Sequence, residues 1–352
     1  MDEAVERLQA EARERAKAHR AGEWKPSEQH LGLFPAISGN AINGLGERTP
    51  RRPKIVYWDD PAGLPHGPLQ QYFYDRYFSV APIKEAYHAG RGTNELPPVA
   101  EHRVERTPAE WTALVKERAM ALGCELVGVA RMKPEWIYEG RAVNEPWIIM
   151  LGLAMDQPRL ATAPSTPEEP TSAVEVARNL ARITRVSNAL AVWIRTNGWE
   201  AEPRPGPRPA GAIALIPAAI ECGFGELGKH GSLIHPVHGS SFRLAAVTTS
   251  LPLEADQPRS FGADEFCLAC NVCSNACPPQ AIGDAKQDVR GDRKWYVDFD
   301  KCVPYFNDHF GCGICIALCP WSIPGVGPSL AQKLARRQAR QSTDNASGGA
   351  AE

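Results

Sequence analysis

The middle of the chain contains two long stretches in which apolar residues recur at helical spacing. The first follows Thr107, a predicted N-cap, begins at Pro108 and stops at Gly123. The second covers 173–197, where apolar residues recur every three or four positions until Gly198. Both stretches predict amphipathic helices that bury one face.

Three apolar runs predict strands. Residues 124–130 and 242–253 have strand composition, and 147–155 is continuous enough to predict a strand buried on both faces. A short helix is expected at 216–223, and the proline-rich segment 203–211 is expected to be a stiff loop. Helices that alternate with strands predict an α/β (α+β) core.

Shifts in composition divide the chain into four predicted regions. Residues 1–105 begin with a charged helical stretch, then become rich in Pro, Gly and aromatics without a clear period, and their role is left open. Residues 106–260 carry the predicted core, and 261–326 carry eight of the ten cysteines. Residues 327–352 form a basic tail with a Ser/Gly/Ala end that is expected to be disordered.

Charge and hydropathy narrow the class of protein. A formal net charge of −2 gives no global basic field, so nucleic acid is not implied as a partner. No apolar run reaches the roughly 18–20 residues that a membrane-spanning helix needs. The charged start is unlike a signal peptide, and Arg51-Arg52 is interpreted as a surface pair. Because eight cysteines have metal-ligand spacing, a reducing cytoplasm is predicted rather than a disulfide framework.

The cysteines form two runs, and the first has the spacing C-x2-C-x2-C-x3-C-P. This spacing wraps a loop around one [4Fe-4S] cubane, while the fourth cysteine ligates a neighbouring cluster. In the second run, nine residues separate Cys302 from Cys312. By the crossed pattern, one cluster takes Cys267, Cys270, Cys273 and Cys319, and the other takes Cys277, Cys302, Cys312 and Cys315.

Zinc is the alternative interpretation of these cysteines. Zinc sites favour isolated Cys pairs separated by long loops, which would leave the triple spacing unexplained. Two [4Fe-4S] clusters with crossed ligands would lie close together and pass electrons between them. A simple electron carrier would not need the roughly 260 residues that precede the cysteines, so a catalytic partner domain is expected.

Segments outside the cysteine spacing carry a family resemblance. They are IPAAIECGFGELGKHGSLIHPVHGSSFRLAAVTTSLPL at 216–253, KWYVDFDKCVPYFNDHFGCGICIALCPW at 294–321, LVGVARMKPEWIY at 126–138 and LAVWIRTNGWEA at 190–201. Together they resemble the corrinoid-dependent reductive dehalogenases and, more distantly, the epoxyqueuosine reductases. The resemblance covers about residues 106–326.

The resemblance implies a base-off cobalamin in a nitroreductase-like core, with one cluster near the corrin and the other near the surface. Electrons would come from an external donor, a ferredoxin or flavodoxin with its reductase. In this family the low-valent cobalt reacts with a small organohalide, and a Tyr assisted by a Lys or Arg protonates the product.

Individual residues acquire expected roles from the same resemblance. The basic catalytic residue maps onto Lys229, which alternatively is a solvated surface charge. His235 is expected in the cofactor pocket wall or in a structural role, rather than as a cobalt ligand. Thr248, Thr249 and Ser250 are expected either to contact the corrin amides or to cap the strand end.

The chain departs from the family pattern at the proton donor, because no tyrosine occurs between Tyr138 and Tyr296. Possible substitutes are the carboxyls of Glu168, Glu169 and Glu175, although acidic residues in such a loop are usually solvated. Tyr138 is another substitute, with packing as its alternative role.

The leading hypothesis is therefore a cobalamin- and iron–sulfur-dependent oxidoreductase of the reductive dehalogenase type that acts on a small molecule. Two alternatives stay open. One is an enzyme like epoxyqueuosine reductase, although no helical-repeat extension that would grip RNA follows the cysteines. The other is a non-catalytic electron-transfer or maturation protein with two [4Fe-4S] clusters.

Overall fold

A computed structural model describes residues 7, 10, 14, 24–90, 92, 95–206 and 211–348. The strands are β1 (Leu126–Arg131), β2 (Trp147–Ala154), β3 (Ala201–Pro205), β4 (Glu226–Leu227), β5 (Leu233–Ile234), β6 (Phe242–Thr249), β7 (Gln287–Val289) and β8 (Asp292–Lys294). An antiparallel sheet has the order β1-β2-β6-β3, and β4-β5 and β7-β8 form two small hairpins. The three predicted strands are confirmed as β1, β2 and β6.

The helices in the described part of the chain surround this sheet and extend on both sides of it. They are α1 (Glu28–Leu33), α2 (Gly39–Asn43), α3 (Gly67–Ser79), α4 (Ala81–His88), α5 (Pro108–Ala121), α6 (Gln157–Leu160), α7 (Thr171–Thr196), α8 (Leu215–Glu221), α9 (Ala263–Ala269), α10 (Val272–Asn275), α11 (Phe299–Asp308), α12 (Ile314–Ala317) and α13 (Val326–Gly348). Single 3₁₀ turns lie at Pro61–Gly63, Pro134–Trp136 and Pro320–Ser322. The helices predicted at 108–123, 173–197 and 216–223 are confirmed as α5, α7 and α8.

Strand β2 lies in the interior of the sheet. It pairs with β1 on one side, from Leu126 opposite Gly152, and with β6 on the other, from Trp147 opposite Thr249. Its first seven residues are buried. The prediction of a strand buried on both faces is therefore confirmed, and packed layers above and below the sheet explain why β2 lacks polar alternation.

Helices α5 and α7 cover one face of the sheet. Thr107 and Glu110 form a capping box at the start of α5, which fixes where this helix begins. Trp111 from α5 and Ile183 and Leu190 from α7 are almost completely buried in the core below. Burial of each such side chain contributes about 1.5–3 kcal/mol.

The opposite face of the sheet is covered by α8 and the β4-β5 hairpin. Ile148 and Met150 of β2 are fully buried here and share a core with Phe224. A Cβ atom added at Gly128 would lie 2.8 Å from the Cβ of Cys222, so glycine permits the close approach of this layer. This layer carries the chain toward the candidate site.

The proline-rich segment differs from its prediction. Residues 201–205 form β3, which lies at the edge of the sheet and, among the described strands, pairs with β6 alone, through Pro203 opposite Val247 and Pro205 opposite Ala245. The predicted loop is therefore wrong for its first three residues, because an edge strand tolerates proline where an interior strand does not. Residues 207–210 lie outside the described residues.

The N-terminal region, whose role the sequence left open, joins the core to the cysteine module. Phe73 of α3 and Ile83 of α4 share a buried cluster with Ala177 of α7 and Val303 of α11. The Asn40 amide donates to Asp298 Oδ1 at 2.8 Å and accepts from the backbone N–H of Phe299 at 2.8 Å. This region is thus an integral part of the packed structure.

The predicted surface pair Arg51-Arg52 is wrong, because both side chains are half-buried. Arg51 donates to the carbonyl of Ile42 at 2.9 Å. Arg52 donates to the carbonyls of Ile137 at 2.8 Å and Arg141 at 2.7 Å, and also to that of Tyr138. These arginines hold the segment that follows β1.

The C-terminal tail is more helical than predicted. Helix α13 continues to Gly348, through part of the end that was expected to be disordered, and residues 349–352 lie outside the described residues. Among the helices that the structure describes, none is both long and apolar enough to cross a membrane.

Candidate functional site

Four cysteines from the two runs form a first thiol set: Cys267, Cys270, Cys273 and Cys319. Burial raises the pKa of the Cys273 thiol to about 12, and the neighbouring thiols of Cys267 and Cys270 contribute to this rise. Burial and the same neighbours, together with Cys273, raise the pKa of Cys319. The fold thus brings Cys319, from the second run, to three cysteines of the first run, as the crossed ligand pattern predicts.

The other four cysteines form a second thiol set: Cys277, Cys302, Cys312 and Cys315. Burial raises the pKa of Cys302, and the thiols of Cys312 and Cys277 add to it. Cys315 is affected by the other three members of its set and also by Cys273. The two sets therefore adjoin each other.

The backbone around the second set is shaped to enclose a bound group. Phe310 and Cys312 have φ of 51° and 45°, and Gly311 and Gly313 have φ of 104° and 90°, so four successive residues adopt positive φ. The backbone N–H of Ala281 donates to Cys277 Sγ at 3.3 Å. Hydrogen bonds to the sulfurs and burial are among the features that tune iron–sulfur clusters.

The eight thiols lie in two sets of four, the number of ligands that one [4Fe-4S] cluster takes. The donor set consists of thiols, the ligand type that [4Fe-4S] clusters use. The residues present therefore fit two clusters of that kind.

A large cavity of about 1470 Å³ adjoins the second thiol set. All four cysteines of that set lie in its lining. Charged groups also line it, with more cations than acids: Arg51, Arg52, Lys286, Arg290, Arg293 and Lys294 against Glu135, Glu226, Asp264 and Asp292. The volume exceeds the roughly 300–1,000 Å³ typical of pockets for drug-sized ligands.

A smaller cavity of about 320 Å³ lies next to the large one and is lined mainly by apolar side chains. We call the residues that border both cavities the shared wall: Tyr138, Leu215, Ile216, Ser232, Gly311, Cys312, Gly313 and Ile316. Because Cys312 belongs to this wall, a cluster held by the second thiol set would border both cavities.

Arg243, at the start of β6, is an unpaired cation in the lining of the smaller cavity. Its Nε is buried and has no hydrogen-bond partner within the described residues. Burial lowers the pKa of Arg243. Arg204 also lines this cavity, but its Nε donates to Thr248 at 3.2 Å and its guanidinium lies 3.8 Å from Glu145. A half-buried guanidinium whose Nε is buried and has no partner within the described residues favours an anionic ligand.

Lys229 lies in the lining of neither cavity, and its side chain is fully buried against the first cysteine run. Its Nζ donates to Asn271 Oδ1 at 2.8 Å and lies 5.1 Å from the centre of the Trp295 ring. The alternative of a solvated surface charge is therefore wrong. A catalytic role for Lys229 stays a prediction.

The other residues predicted to bind the cofactor also lie outside both cavity linings. His235 Nδ1 accepts from the backbone N–H of Val237 at 3.1 Å, and burial lowers the pKa of His235 to about 4. Thr249 Oγ1 donates to the Glu200 carbonyl at 2.5 Å, and Ser250 Oγ accepts from the Glu200 N–H at 3.1 Å. Thr248 accepts from Arg204. The contacts of Thr248, Thr249 and Ser250 match the alternative in which these residues cap the end of the strand.

Among the candidates for a substitute acid, Tyr138 alone borders a cavity. Glu168 and Glu169 are exposed. Glu175 is buried, but its carboxylate forms ion pairs with Arg178 at 2.5 Å and Arg159 at 3.3 Å. The structure therefore separates these four residues, which sequence reasoning had treated together.

Sequence reasoning missed Arg243 and Arg290 as residues of the cavity walls. The signal for Arg243 was a single charge at the start of an otherwise apolar run, FRLAAVTT. The sequence signal for Arg290 was weaker. This residue follows a short strand in a polar stretch and adopts a φ of 52°, which the sequence does not reveal.

Comparison with known proteins supports the cysteine assignment first. Residues 266–323 match the 4Fe-4S dicluster domain family. The matched segment includes all eight cysteines of the two thiol sets.

The wider chain has relatives among named reductases. It is 28% identical over 262 residues to a tetrachloroethene reductive dehalogenase of Sulfurospirillum multivorans, covering 61% of this chain and 51% of that protein. A tetrachloroethene reductive dehalogenase of Desulfitobacterium hafniense is 32% identical over 214 residues, which cover 57% of this chain and 37% of that protein. An epoxyqueuosine reductase of Synechococcus sp. (strain RCC307) is 28% identical over 254 residues, with coverage of 62% and 77%.

A solved structure shares the fold. The catabolic reductive dehalogenase NpRdhA, in complex with 3-bromo-4-hydroxybenzoic acid, superposes with a TM-score of 0.61 at 23% identity, over 81% of this chain and 42% of that chain. The resemblance to reductive dehalogenases, and more distantly to epoxyqueuosine reductases, is thus confirmed. The chain spans about half the length of the dehalogenase from S. multivorans.

Proposed function

We propose that the protein is a cobalamin- and iron–sulfur-dependent oxidoreductase that reductively cleaves a carbon–halogen bond in a small organic substrate. The observation that carries this proposal is the arrangement of the cavities. All four cysteines of the second thiol set line the large cavity, and Cys312 also borders the smaller one. An electron carrier would not need two joined cavities next to one of its clusters.

The two thiol sets would hold two [4Fe-4S] clusters, which pass electrons one at a time. An external low-potential donor, a ferredoxin or flavodoxin with its reductase, would supply them. The surface beside Cys270 fits electron entry, because Leu268 and Val272 next to it are 58% and 39% exposed.

The large cavity would hold the corrinoid, which supplies a low-valent cobalt for the reduction when bound. Its volume and its excess of cations suit a large cofactor that carries a phosphate in its nucleotide tail. Arg290, Arg293 and Lys294 are among the residues that would contact such a phosphate.

The smaller cavity would hold the substrate. Its apolar lining would exclude water and accept the carbon skeleton of an organohalide. Arg243 would neutralise an anionic group of the substrate, such as a carboxylate or phenolate, because it has no protein counterion among the described residues.

Anaerobic reconstitution tests this proposal. The purified chain is loaded with iron, sulfide and cobalamin, reduced with a viologen dye and offered 3-bromo-4-hydroxybenzoic acid and tetrachloroethene as probes. We expect corrin absorbance bands to co-purify with the protein and halide to appear in proportion to the dehalogenated product. A sample without cobalamin is the control.

Two other outcomes would contradict the proposal. Iron–sulfur bands without retained cobalamin would favour the non-catalytic electron carrier. Retained cobalamin with reduction of an epoxyqueuosine-containing RNA stem-loop, and no halide from either probe, would favour the epoxyqueuosine reductase alternative.

A further inference from the structure

Reductive removal of a halogen needs a proton as well as two electrons, and the proton must reach the carbon where the electrons arrive. If the electrons leave the large cavity for a substrate in the smaller one, that place is the shared wall. This inference therefore rests on the proposed function and asks which group of the shared wall supplies the proton.

The shared wall contains few polar side chains. Beyond glycine and aliphatic residues, it has Tyr138, Ser232 and Cys312. Cys312 belongs to the second thiol set and would be bound to iron. A serine hydroxyl is a much weaker acid than a phenol, so Tyr138 is the strongest available acid of the shared wall.

Another tyrosine, Tyr57, lines the smaller cavity, but its hydroxyl already donates a hydrogen bond within the protein. The hydroxyl of Tyr57 donates to Asn307 Oδ1 at 2.8 Å and also lies 3.2 Å from the Leu69 carbonyl. By contrast, the Tyr138 hydroxyl forms no hydrogen bond within the described part of the chain. It is therefore free to donate to a ligand in either cavity.

The position of Tyr138 is fixed by its backbone. Its N–H donates to the Ala212 carbonyl at 2.9 Å, and the neighbouring N–H of Glu139 donates to the Pro53 carbonyl at 2.8 Å. Arg52 holds the carbonyls on both sides of the Ile137–Tyr138 peptide. A proton donor held by two other chain segments, 52–53 and Ala212, needs little reorganisation when it reacts.

The electrostatic surroundings suit a donor that is protonated at rest. Burial raises the pKa of Tyr138, and the positive charge of Arg290 acts in the opposite direction. Arg290 also lines the large cavity, where its guanidinium donates to the Asn43 carbonyl. The phenol is thus neutral near pH 7, and Arg290 would stabilise the phenolate that remains after proton transfer.

We propose that Tyr138 is the proton donor of the reaction and that Arg290 assists it. In the balanced step, R–X, two electrons and the Tyr138 phenol give R–H, X⁻ and the Tyr138 phenolate. The carbon–halogen bond breaks, a carbon–hydrogen bond forms and the halide leaves as an anion. The electrons come from the low-potential donor through the clusters, and solvent then reprotonates the phenolate.

Tyr138→Phe tests this role in the fully reconstituted protein. The matched control is Tyr74→Phe, which removes a hydroxyl from a tyrosine in neither cavity lining. We expect Tyr138→Phe to lower the rate of halide release from 3-bromo-4-hydroxybenzoic acid by about 100-fold or more, which is the usual contribution of a general acid. Cobalamin absorbance and the cluster EPR signals should match those of the wild type, and KM should change little. Tyr74→Phe should keep the wild-type rate.

The outcomes separate this inference from the function beneath it. A Tyr138→Phe variant that binds cobalamin and releases halide within about twofold of the wild-type rate would overturn the role of Tyr138 and leave the function standing. A wild type that releases no halide would overturn both. If the Phe variant fails to bind cobalamin, a fluorinated tyrosine at 138 replaces it, since this residue keeps the hydroxyl but is a stronger acid. A changed pH–rate profile would support the donor role, and an unchanged one would refute it.

Discussion

The two thiol sets use the same ligands but occupy different surroundings. The first set lies beside exposed Leu268 and Val272 and against the buried cation of Lys229. The second set lines the large cavity and reaches the shared wall through Cys312. Identical chemistry at the ligands therefore does not imply identical roles. We therefore expect the first site to receive electrons from the proposed donor, and the second to pass them to the proposed cofactor and substrate.

Loss of a ligand from each set should give the largest effect and should separate the two sites. Cys270→Ala and Cys315→Ala each remove one cysteine, and either change should abolish turnover because electrons can no longer cross. Bound iron should fall from about eight to about four atoms per chain in each variant. The Cys315 variant should also perturb the corrin absorbance, because only its cluster borders the large cavity.

The control for this comparison is Cys124→Ala. Cys124 is buried beside the sheet, and burial raises the pKa of its thiol to about 12. It belongs to neither thiol set, so iron content and the EPR signals should not change. Equal effects of Cys270→Ala and Cys315→Ala on the corrin absorbance would remove the distinction between the two sites.

Substitution of Arg243 tests the proposed role of the smaller cavity, which lies on the side of the second thiol set. Arg243→Met should weaken binding of the proposed anionic substrate and lower kcat/KM by about 100-fold, the worth of a buried charged hydrogen bond. The same change should raise the free energy of unfolding of the substrate-free protein by about 1–3 kcal/mol, because it removes a buried charge that lacks a counterion. Thermal or denaturant unfolding measures this gain.

Arg204→Met is the matched control. Arg204 lines the same cavity, but it lies 3.8 Å from the Glu145 carboxylate, whose Oε2 is buried. Its removal leaves that carboxylate without its partner and should lower stability rather than raise it. Stabilisation by both substitutions, or by neither, would contradict the assignment of Arg243 as the unpaired cation.

Much of this architecture could be predicted from sequence, for a physical reason. The apolar run of β2 and the helical period of α7 record burial that each element experiences along its whole length. The cysteine spacing likewise records a local geometry, since three ligands of one cubane lie within seven residues. Signals of this kind do not depend on the rest of the fold.

The features that the sequence did not predict depend on contacts between segments that are far apart in the chain. Arg52 reaches carbonyls 85 to 89 positions away, so nothing near it in sequence marks it as buried. Lys229 follows a Gly-rich turn and resembles a surface charge, because the sequence does not show that Asn271, the N-cap of α10, lies beside it. Strand β3 contains two prolines, which predict a loop unless the strand is known to lie at an edge.

The smallest expected effect is a change in reduction potential on substitution of Lys229, which tests the site at the first thiol set. A buried positive charge stabilises the reduced cluster, which carries one more negative charge than the oxidised cluster. At an effective dielectric constant of about 20 and a separation of about 10 Å, its removal is worth on the order of 1–2 kcal/mol. Lys229→Met should therefore lower the reduction potential of the cluster at the first thiol set by on the order of 50 mV. The potential of the second cluster should move less.

Redox titration followed by EPR measures the reduction potentials of both clusters. Lys286→Met is the control, because Lys286 also lies near Trp295 but is partly exposed. It should shift the first cluster less than Lys229→Met does. Unchanged potentials in Lys229→Met, together with a large fall in kcat, would instead return Lys229 to the catalytic role that its sequence motif predicts. The first thiol set would then no longer be the site that Lys229 tunes.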